Sequence, residues 1–464
     1  MRIALADLKA TGGFVSKDTV AGGYGSRLIP FSNVTAAVAA LKRRMHDLPS
    51  VHLAYAAALA TRAGHEVVAT RGELVPADVA IVLSSLVDYK REAEWGAAMR
   101  ARGTRVGFIG LTASKLPQLY QSSADFLVDG EPEAALARLF QGETLEGRVD
   151  SPAVADLDSL PFPRWEVLGD DRRRFRLPFA GRPAGGSFPL LASRSCPEFC
   201  TYCPHRILST YRARSVGNIL EELVHLTDLI PRPHVVFRDP LFTQDRERVV
   251  ALCDGILSRD LDLTFECETR LDRLDAELLA TMHRAGLRAM SFGVEAVSSA
   301  VLKKVGRRPI PEAHQRAMVT RCRQLGIVTA AFYVIGFLED TKESITATIE
   351  YAADLGSTVA QFKILTPYPG TPLFKRMEPL IIERDWERFD GFTPTFTHPN
   401  MTNDELKYLL GAAFCRFYMR PSYVANYLRI TAPKVREFVA RLDARVTRFH
   451  AEREKVELSQ IESC

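Results

Sequence analysis

The sequence lacks features that define several classes of protein. No run of apolar residues approaches the roughly 20 that a membrane-spanning helix needs. The N-terminus has no signal-peptide pattern, because Met1–Asp7 is a short apolar run containing an acid, which predicts a first strand. Basic and acidic side chains, 60 and 56 in number, nearly cancel to a formal net charge of +4. This balance argues against a protein that holds nucleic acid through its phosphates.

Cysteine is scarce and unevenly placed. Only eight cysteines occur in 464 residues, and none precedes Cys196. Three of them fall within residues 196–203, whereas the other five are scattered singly, as is typical of buried thiols: Cys253, Cys267, Cys322, Cys415 and Cys464. This usage favours a metal site in a reducing cytoplasm over a disulfide framework.

The hydrophobic pattern divides the chain into four parts. Residues 1–140 alternate short apolar strands with amphipathic helices and predict an α/β, doubly wound, Rossmann-like domain. Residues 141–185 have little periodicity and predict a linker. The alternation resumes over 186–375 with about six β/α units, which predict a partial (β/α)6 TIM barrel. Residues 376–464 predict a C-terminal helical region.

One cysteine motif carries the chemistry. Ser195–Arg206 reads SCPEFCTYCPHR, which places Cys196, Cys200 and Cys203 in a C-x3-C-x2-C pattern after the first barrel strand. Thiolates at this spacing can reach three corners of a [4Fe–4S] cluster and leave one iron free to bind an amine and a carboxylate. Zinc would need a fourth ligand, and His205 lies too close on the same tight loop to supply it without strain.

This motif, with Tyr202 before its last cysteine, resembles the signature of the radical S-adenosylmethionine (SAM) superfamily. The resemblance implies that the free iron chelates SAM, which is cleaved to a 5′-deoxyadenosyl radical that takes hydrogen from a substrate. Further segments resemble the subfamily with an N-terminal cobalamin-binding domain: FRDPLFT at Phe237–Thr243, ETR at Glu268–Arg270, GVE at Gly293–Glu295, IGF at Ile335–Phe337 and TPYPGTPLF at Thr366–Phe374.

The resemblance also implies roles for individual residues. Tyr202 is expected beside the adenine of SAM and Glu295 on its ribose. Arg270 and Asp239 are expected near the amino-acid end, and Gly336 also in the cofactor site. Pro240 departs from the subfamily pattern, which has a second Asp at this position.

The N-terminal domain departs from the subfamily in two ways. Tyr55–Val68 and Asp129–Glu133 resemble its cobalamin-binding domain, but no histidine here stands in the D-x-H-x-x-G pattern that ligates cobalt. Gly110–Ser114 (GLTAS) replaces the usual G-G-x-H-type loop, and its single glycine is expected to leave side chains where a corrin needs backbone contact. We therefore expect the domain to lack cobalamin.

Without cobalamin, the adenosyl radical would act directly on a small polar substrate. The degenerate domain resembles that of aminoglycoside diol dehydratases, which implies radical dehydration of a paromamine-like sugar, an electron donor such as flavodoxin (dithionite in vitro) and a partner reductase. Tyr333 and Lys363, on late strands, are candidate acid–base residues facing the barrel mouth. The alternative is a cobalamin-dependent radical SAM C- or P-methyltransferase of natural-product biosynthesis.

Overall fold

The computed structural model describes residues 1–8, 14–17, 24–28, 48–168, 186–421 and 423. The C-terminal helix expected at Lys434–Val456 and the second half of the expected linker, 169–185, lie outside these residues. Among the residues described, no helix is long and apolar enough to cross a membrane.

The first domain is built on a parallel six-stranded sheet. Its strands are β1 (Arg2–Ala6), β4 (Glu66–Thr70), β5 (Val79–Leu83), β6 (Arg105–Ile109), β7 (Phe126–Gly130) and β8 (Gly147–Ser151), in the order β4-β1-β5-β6-β7-β8. A short antiparallel pair, β2 (Phe14–Ser16) and β3 (Ser26–Leu28), lies outside this sheet. The sheet confirms the expected doubly wound α/β domain.

Four helices of this domain lie within the described residues. They are α1 (Val51–Arg62), α2 (Tyr89–Arg100), α3 (Leu111–Lys115) and α4 (Pro132–Phe140). The Ser50 side chain accepts a hydrogen bond from Leu53 N at the start of α1, and Pro132 occupies the first turn of α4. Ten consecutive residues of α1 are buried, so this helix lies inside the molecule rather than on its surface.

The second domain is an open barrel of six parallel strands. These are β9 (Ser187–Leu190), β12 (His234–Phe237), β13 (Thr264–Thr269), β14 (Leu287–Glu295), β15 (Val328–Ile335) and β16 (Val359–Ile364), ordered β16-β15-β14-β13-β12-β9. Two short strands, β10 (Ser193–Arg194) and β11 (Arg212–Ala213), pair antiparallel beside the first barrel strand. The expected partial barrel is confirmed.

Helices cover the outer face of the barrel. They are α5 (Val216–Leu229), α6 (Arg246–Ser258), α7 (Ala276–Arg284), α8 (Ser299–Lys304), α9 (Glu312–Leu325), α10 (Lys342–Leu355), α11 (Pro372–Met377) and α12 (Asn403–Tyr418). A capping box at Thr402 and Glu405 starts α12, which packs on α10 and β16. One continuous core of buried side chains extends from the first sheet through the barrel to α12.

One strand lies where the sequence suggested a linker. β8 falls within 141–185, yet it pairs with β7 as the edge of the first sheet. Its sequence, GRVDS, is polar because an edge strand exposes one side to water, so its periodicity gave no apolar signal.

Candidate active site: a cysteine loop between two domains

The antiparallel pair β10–β11 holds the loop that carries the three cysteines. Ser193 pairs with Ala213, so the chain leaves and returns at the same place. Ser195, at a positive φ of 64°, donates its hydroxyl to Ser209 O at 2.8 Å. Cys203 N donates to Cys200 O at 3.1 Å. The sequence thus folds locally into a tight loop that these hydrogen bonds close.

The three cysteines of the loop are not engaged with one another. Cys196, Cys200 and Cys203 are unbridged and half-buried. Among the residues described, no group of three or more Cys, His, Asp or Glu side chains is arranged to hold a metal ion. A [4Fe–4S] cluster requires thiolates that stand apart, one for each of three irons. Burial raises the pKa of each thiol, so these side chains need positive charge or iron to be thiolates.

A short segment after α8, Val305–Arg308, supports the cysteine loop from below. Thr201 N donates to Val305 O at 2.9 Å. Gly306 has a positive φ of 73°, and a Cβ there would lie 2.2 Å from the carbonyl oxygen of Phe199. Arg307 Nη1 lies 3.9 Å from Cys200 Sγ. The segment therefore lies so close to the loop that only glycine, which has no Cβ, fits at this position.

Glu295 ends β14 directly below this segment. It has a positive φ of 66°, and its Oε1 lies 3.4 Å from Arg307 Nη2. Burial raises the pKa of Glu295, whereas Arg307 and a hydrogen bond from Tyr202 act in the opposite direction. A Cβ at Gly293 would lie 2.1 Å from the Glu295 carboxylate, so the Glu295 side chain would have to move to admit it. Tyr202 and Glu295 thus share a hydrogen bond, and their contacts with SAM stay a prediction.

Arg270, which follows β13, has one donor to spare. Its Nε and Nη2 bond the Asp272 carboxylate at 3.0 Å each, and Nη2 also reaches Arg308 O at 3.0 Å. Its Nη1 is buried with no hydrogen-bond partner. An unpaired buried guanidinium donor is costly, and the carboxylate of a bound amino acid is the group that would satisfy it. This observation fits the expected SAM contact.

Asp239 and Gly336 follow the barrel strands β12 and β15 and form hydrogen bonds within the protein. Asp239 is fully buried and accepts hydrogen bonds from Ala192 N at 3.0 Å and Ser193 Oγ at 2.5 Å, so it ties β12 to the base of the cysteine loop. Gly336 has a positive φ of 82° after β15, and its N–H donates to Asp340 Oδ2 at 3.0 Å. Whether either residue contacts SAM stays a prediction.

Tyr333 does not face the barrel mouth. Strand β15 alternates its faces, and Tyr333 points into the helix layer, where it stacks on Phe362 with ring centroids 5.0 Å apart. The expectation that Tyr333 is an acid–base residue at the mouth therefore fails on geometry. Lys363 lies on the opposite face of β16 from Phe362 and reaches over the ring of Phe392, 6.0 Å from its centroid. Its catalytic role stays a prediction.

A small cavity opens between the first domain and the cysteine loop. The first domain contributes residues at the carboxyl ends of its strands and in α1, and the other wall is the cysteine loop; the lining includes His52, Gly110, Glu131, Arg194, His205 and Leu208. His205 Nδ1 is buried without a hydrogen-bond partner. Ligands of open α/β sheets bind at this edge.

The GLTAS loop does not obstruct this cavity. Gly110 takes a positive φ of 103° and lines the cavity, whereas the side chains of α3 turn inward and are buried. Leu111 packs beside Tyr24, and Ser114 Oγ donates to Asp129. The expected steric objection to a corrin at this loop is therefore wrong, because the one glycine stands where the backbone meets the cavity.

Buried ion pairs join the cavity wall to the cysteine loop. Arg194, two residues before Cys196, donates to Glu131 at 3.0 Å and to Glu133 at 2.7 Å. Arg212, on the returning strand β11, also pairs with Glu131. Both strands that hold the loop are thereby anchored to the first domain. The sequence analysis missed these residues, although Arg194 is a charge close to the cysteine motif.

The family comparison covers part of the barrel. Residues 190–352 match the family model described as the radical SAM superfamily, so this segment is similar to a radical SAM domain. A [4Fe–4S] cluster and SAM are the cofactors that this domain implies, and both fit the cysteine loop and the Arg270–Glu295 region.

The curated relatives of the chain include methyltransferases and a cyclase. The chain is 27% identical over 274 residues to an uncharacterized methyltransferase of Pyrococcus horikoshii, covering 58% of each chain. It is 26% identical over 276 residues to an anaerobic magnesium-protoporphyrin IX monomethyl ester cyclase of Rubrivivax gelatinosus, covering 59% of this chain and 48% of the relative. Other matches are named as methyltransferases. The chain thus spans about half the length of these curated relatives.

The fold likeness includes the first domain. The cobalamin-dependent SAM radical enzyme OxsB, solved with aqua-cobalamin and SAM bound, aligns with a TM-score of 0.64 at 14% identity, over 88% of this chain and 65% of OxsB.

The comparisons correct two expectations. Dehydration of an aminoglycoside sugar without cobalamin is contradicted, because the named relatives include several methyltransferases and the fold is that of cobalamin-dependent enzymes. The expectation that cobalamin is absent is also unsupported, since the shared fold extends through the domain that was thought empty.

Proposed function

We propose that the chain is a cobalamin-dependent radical SAM methyltransferase that acts on a small molecule in natural-product biosynthesis. The single observation that supports this best is the cavity at the carboxyl edge of the first sheet, whose second wall is the cysteine loop. A methyl carrier held in this cavity would lie beside the SAM site, as a transfer between the two requires.

The residues of the cavity fit such a group. Gly110 offers backbone without a side chain, and the buried His205 Nδ1 and the Glu131–Arg194 pair offer polar contacts. Most of the lining residues are polar, and their histidine, serine and paired charged side chains would bond the polar substituents of a corrin. When bound, cobalamin would supply a transferable methyl group, and the cluster would supply the electron that cleaves SAM.

Residues of the chain itself would bind SAM and hold the two domains in position. Arg270 Nη1 would receive the SAM carboxylate, and Glu295 with Tyr202 would hold the ribose and adenine in the buried pocket beside the cysteine loop. The buried pairs of Arg194 and Arg212 would keep both domains at a fixed distance, which makes the geometry of transfer reproducible.

Cobalamin retention tests the proposal first. Full-length protein is mixed anaerobically with hydroxocobalamin and passed through gel filtration, and we expect corrin absorbance bands to co-elute with the protein. Leu208→Trp, which fills the cavity, should abolish co-elution, whereas Leu229→Trp, at an exposed leucine, should not. Absence of corrin from the unaltered protein would contradict the cofactor assignment.

The reaction is tested with the loaded protein. With dithionite and SAM carrying a labelled methyl group, we expect S-adenosylhomocysteine to form in addition to 5′-deoxyadenosine. Formation of 5′-deoxyadenosine alone, in protein that retains cobalamin, would exclude methyl transfer and leave the radical SAM assignment intact.

The match to a cyclase supports a second candidate. The radical SAM region is almost as similar to the Rubrivivax cyclase as to the Pyrococcus methyltransferase. An oxidative cyclisation would form 5′-deoxyadenosine without S-adenosylhomocysteine, so the same assay separates the two.

A further inference from the structure

The guanidinium of Arg307 contacts both a cluster ligand and the end of β14. Its Nη1 lies 3.9 Å from Cys200 Sγ, and its Nη2 donates to Gly293 O at 2.5 Å and lies 3.4 Å from Glu295 Oε1. Only 10% of the side chain is exposed. Solvent therefore screens this positive charge weakly at Cys200, and the Glu295 carboxylate offsets part of it.

The backbone keeps the guanidinium in this place. Arg307 N donates to Leu302 O at 2.9 Å, and Val305 O accepts from Thr201 N at 2.9 Å. Gly306, between them, packs against the Phe199 carbonyl. Because the segment is joined to the cysteine loop on one side and to α8 on the other, Arg307 cannot swing into solvent without breaking these contacts.

A buried positive charge near an iron–sulfur cluster raises the reduction potential of that cluster. Reduction adds one electron to the cluster, with no bond formed or broken, and the extra negative charge is stabilised by nearby cations and by N–H donors to the ligating sulfur. We propose that Arg307 is a positioning residue that raises the reduction potential of the cluster bound by Cys196, Cys200 and Cys203, so that an external one-electron donor can reduce it.

This role rests on the radical SAM domain and is independent of methyl transfer. It adds to the chain a residue that no cysteine motif includes, and it explains why a buried arginine stands beside a thiol. Arg307 also links Cys200 to Glu295, so the potential depends on a residue of the expected ribose site.

The test is a redox titration of reconstituted full-length protein without SAM or cobalamin, followed by the electron paramagnetic resonance signal of the reduced cluster. In Arg307→Met the equilibrium constant for one-electron reduction should fall about tenfold or more, a shift of about 59 mV to more negative potential. Arg307→Lys keeps the charge and should shift the potential much less. Arg308→Gln removes a neighbouring charge whose side chain is 61% exposed, and should leave the potential unchanged.

A variant of opposite sign completes the test. Glu295→Gln removes the negative charge that pairs with Arg307 and should raise the potential. Iron and sulfide analysis shows which variants hold the cluster. If Arg307→Met loses its iron, the reduction potentials of Arg307→Lys and Glu295→Gln test the proposal instead. An unchanged potential in Arg307→Met, a lowered potential in Glu295→Gln, or a shift in Arg307→Lys as large as the full loss of charge would overturn the proposal.

Discussion

At the scale of single residues, the site combines groups that the sequence identifies with groups that only folding reveals. The cysteines were predictable because thiolates that bind one cluster from one loop must be close in the chain. Arg270 and Glu295 were named from short motifs at strand ends. Arg307 was not, because its partners Cys200 and Gly293 are distant in sequence and a Gly-Arg-Arg run has no pattern of its own.

The cysteine loop yields a direct prediction. Cys200→Ala removes one of three iron ligands, so we expect the reconstituted protein to lose SAM cleavage. The measurement is 5′-deoxyadenosine after incubation with SAM and dithionite. Cys415→Ala, at an exposed single cysteine, is the control and should behave as the unaltered protein does. Full cleavage of SAM by Cys200→Ala would contradict the assignment of a cluster to this loop.

Arg270 supplies a second prediction. Arg270→Lys keeps the charge but loses the planar fork that bonds Asp272 while leaving Nη1 for a carboxylate. Loss of a charge-assisted hydrogen bond costs about 1.5–3 kcal/mol, so SAM should bind about tenfold to a hundredfold more weakly. Anaerobic equilibrium dialysis measures this change. Arg246→Lys, in an exposed pair with Asp275, serves as the control, and equal affinity in both variants would refute the contact.

At the scale of elements, the sequence predicted the six barrel strands but only some of their bounds. The apolar runs His234–Phe237 and Val328–Ile335 coincide with β12 and β15. The runs Leu190–Ala192 and Ala289–Phe292 miss the bounds of β9 and β14 by two or three residues. β8 was missed because an edge strand can be polar. The direction of Tyr333 was missed as well, since a run that is buried on both faces does not reveal which face points to the helices.

The segment Val305–Arg308 provides a matched pair of glycines. Gly306 and Gly326 share a φ of 73°, but a Cβ at Gly306 meets the Phe199 carbonyl at 2.2 Å, whereas one at Gly326 meets nothing within 4 Å. Both Ala variants incur backbone strain of about 1–3 kcal/mol. Only Gly306→Ala must also displace the cysteine loop, so it alone should lose bound iron. Melting temperature and iron content test this, and equal iron content in both variants would contradict the close approach.

At the scale of the whole molecule, ion pairs buried between the domains fix their relative position. Burial raises the pKa of Glu131, but the hydrogen bond from Arg212 and the charges of Arg194 and Arg212 outweigh it, and the pKa lies below its ordinary value. The ionised carboxylate therefore stabilises the folded chain above the pKa of an unfolded Glu, and this contribution is lost as the pH falls through the folded pKa.

This sign can be tested with one substitution. Glu131→Gln leaves two buried arginines short of a partner and should lower the free energy of unfolding by about 3 kcal/mol near neutral pH. Because the native carboxylate is itself protonated in acid, the difference between the two proteins should shrink as the pH falls below about 4.3. Urea denaturation of the full chain across pH measures both effects. Glu143→Gln, in an exposed pair with Arg138, is the control and should show neither the loss of stability nor its pH dependence. A difference in unfolding free energy between Glu131→Gln and the unaltered protein that is constant with pH would exclude the linkage.

The cysteine loop is also where the molecule meets its surroundings. Phe199, between Cys196 and Cys200, exposes 57% of its surface, with the Arg206 guanidinium 5.1 Å from its ring centroid. A cluster held by Cys196 and Cys200 would therefore lie near an exposed aromatic ring. An electron carrier could approach by this route, and so could dioxygen. We therefore expect protein purified in air to retain less iron than protein purified anaerobically.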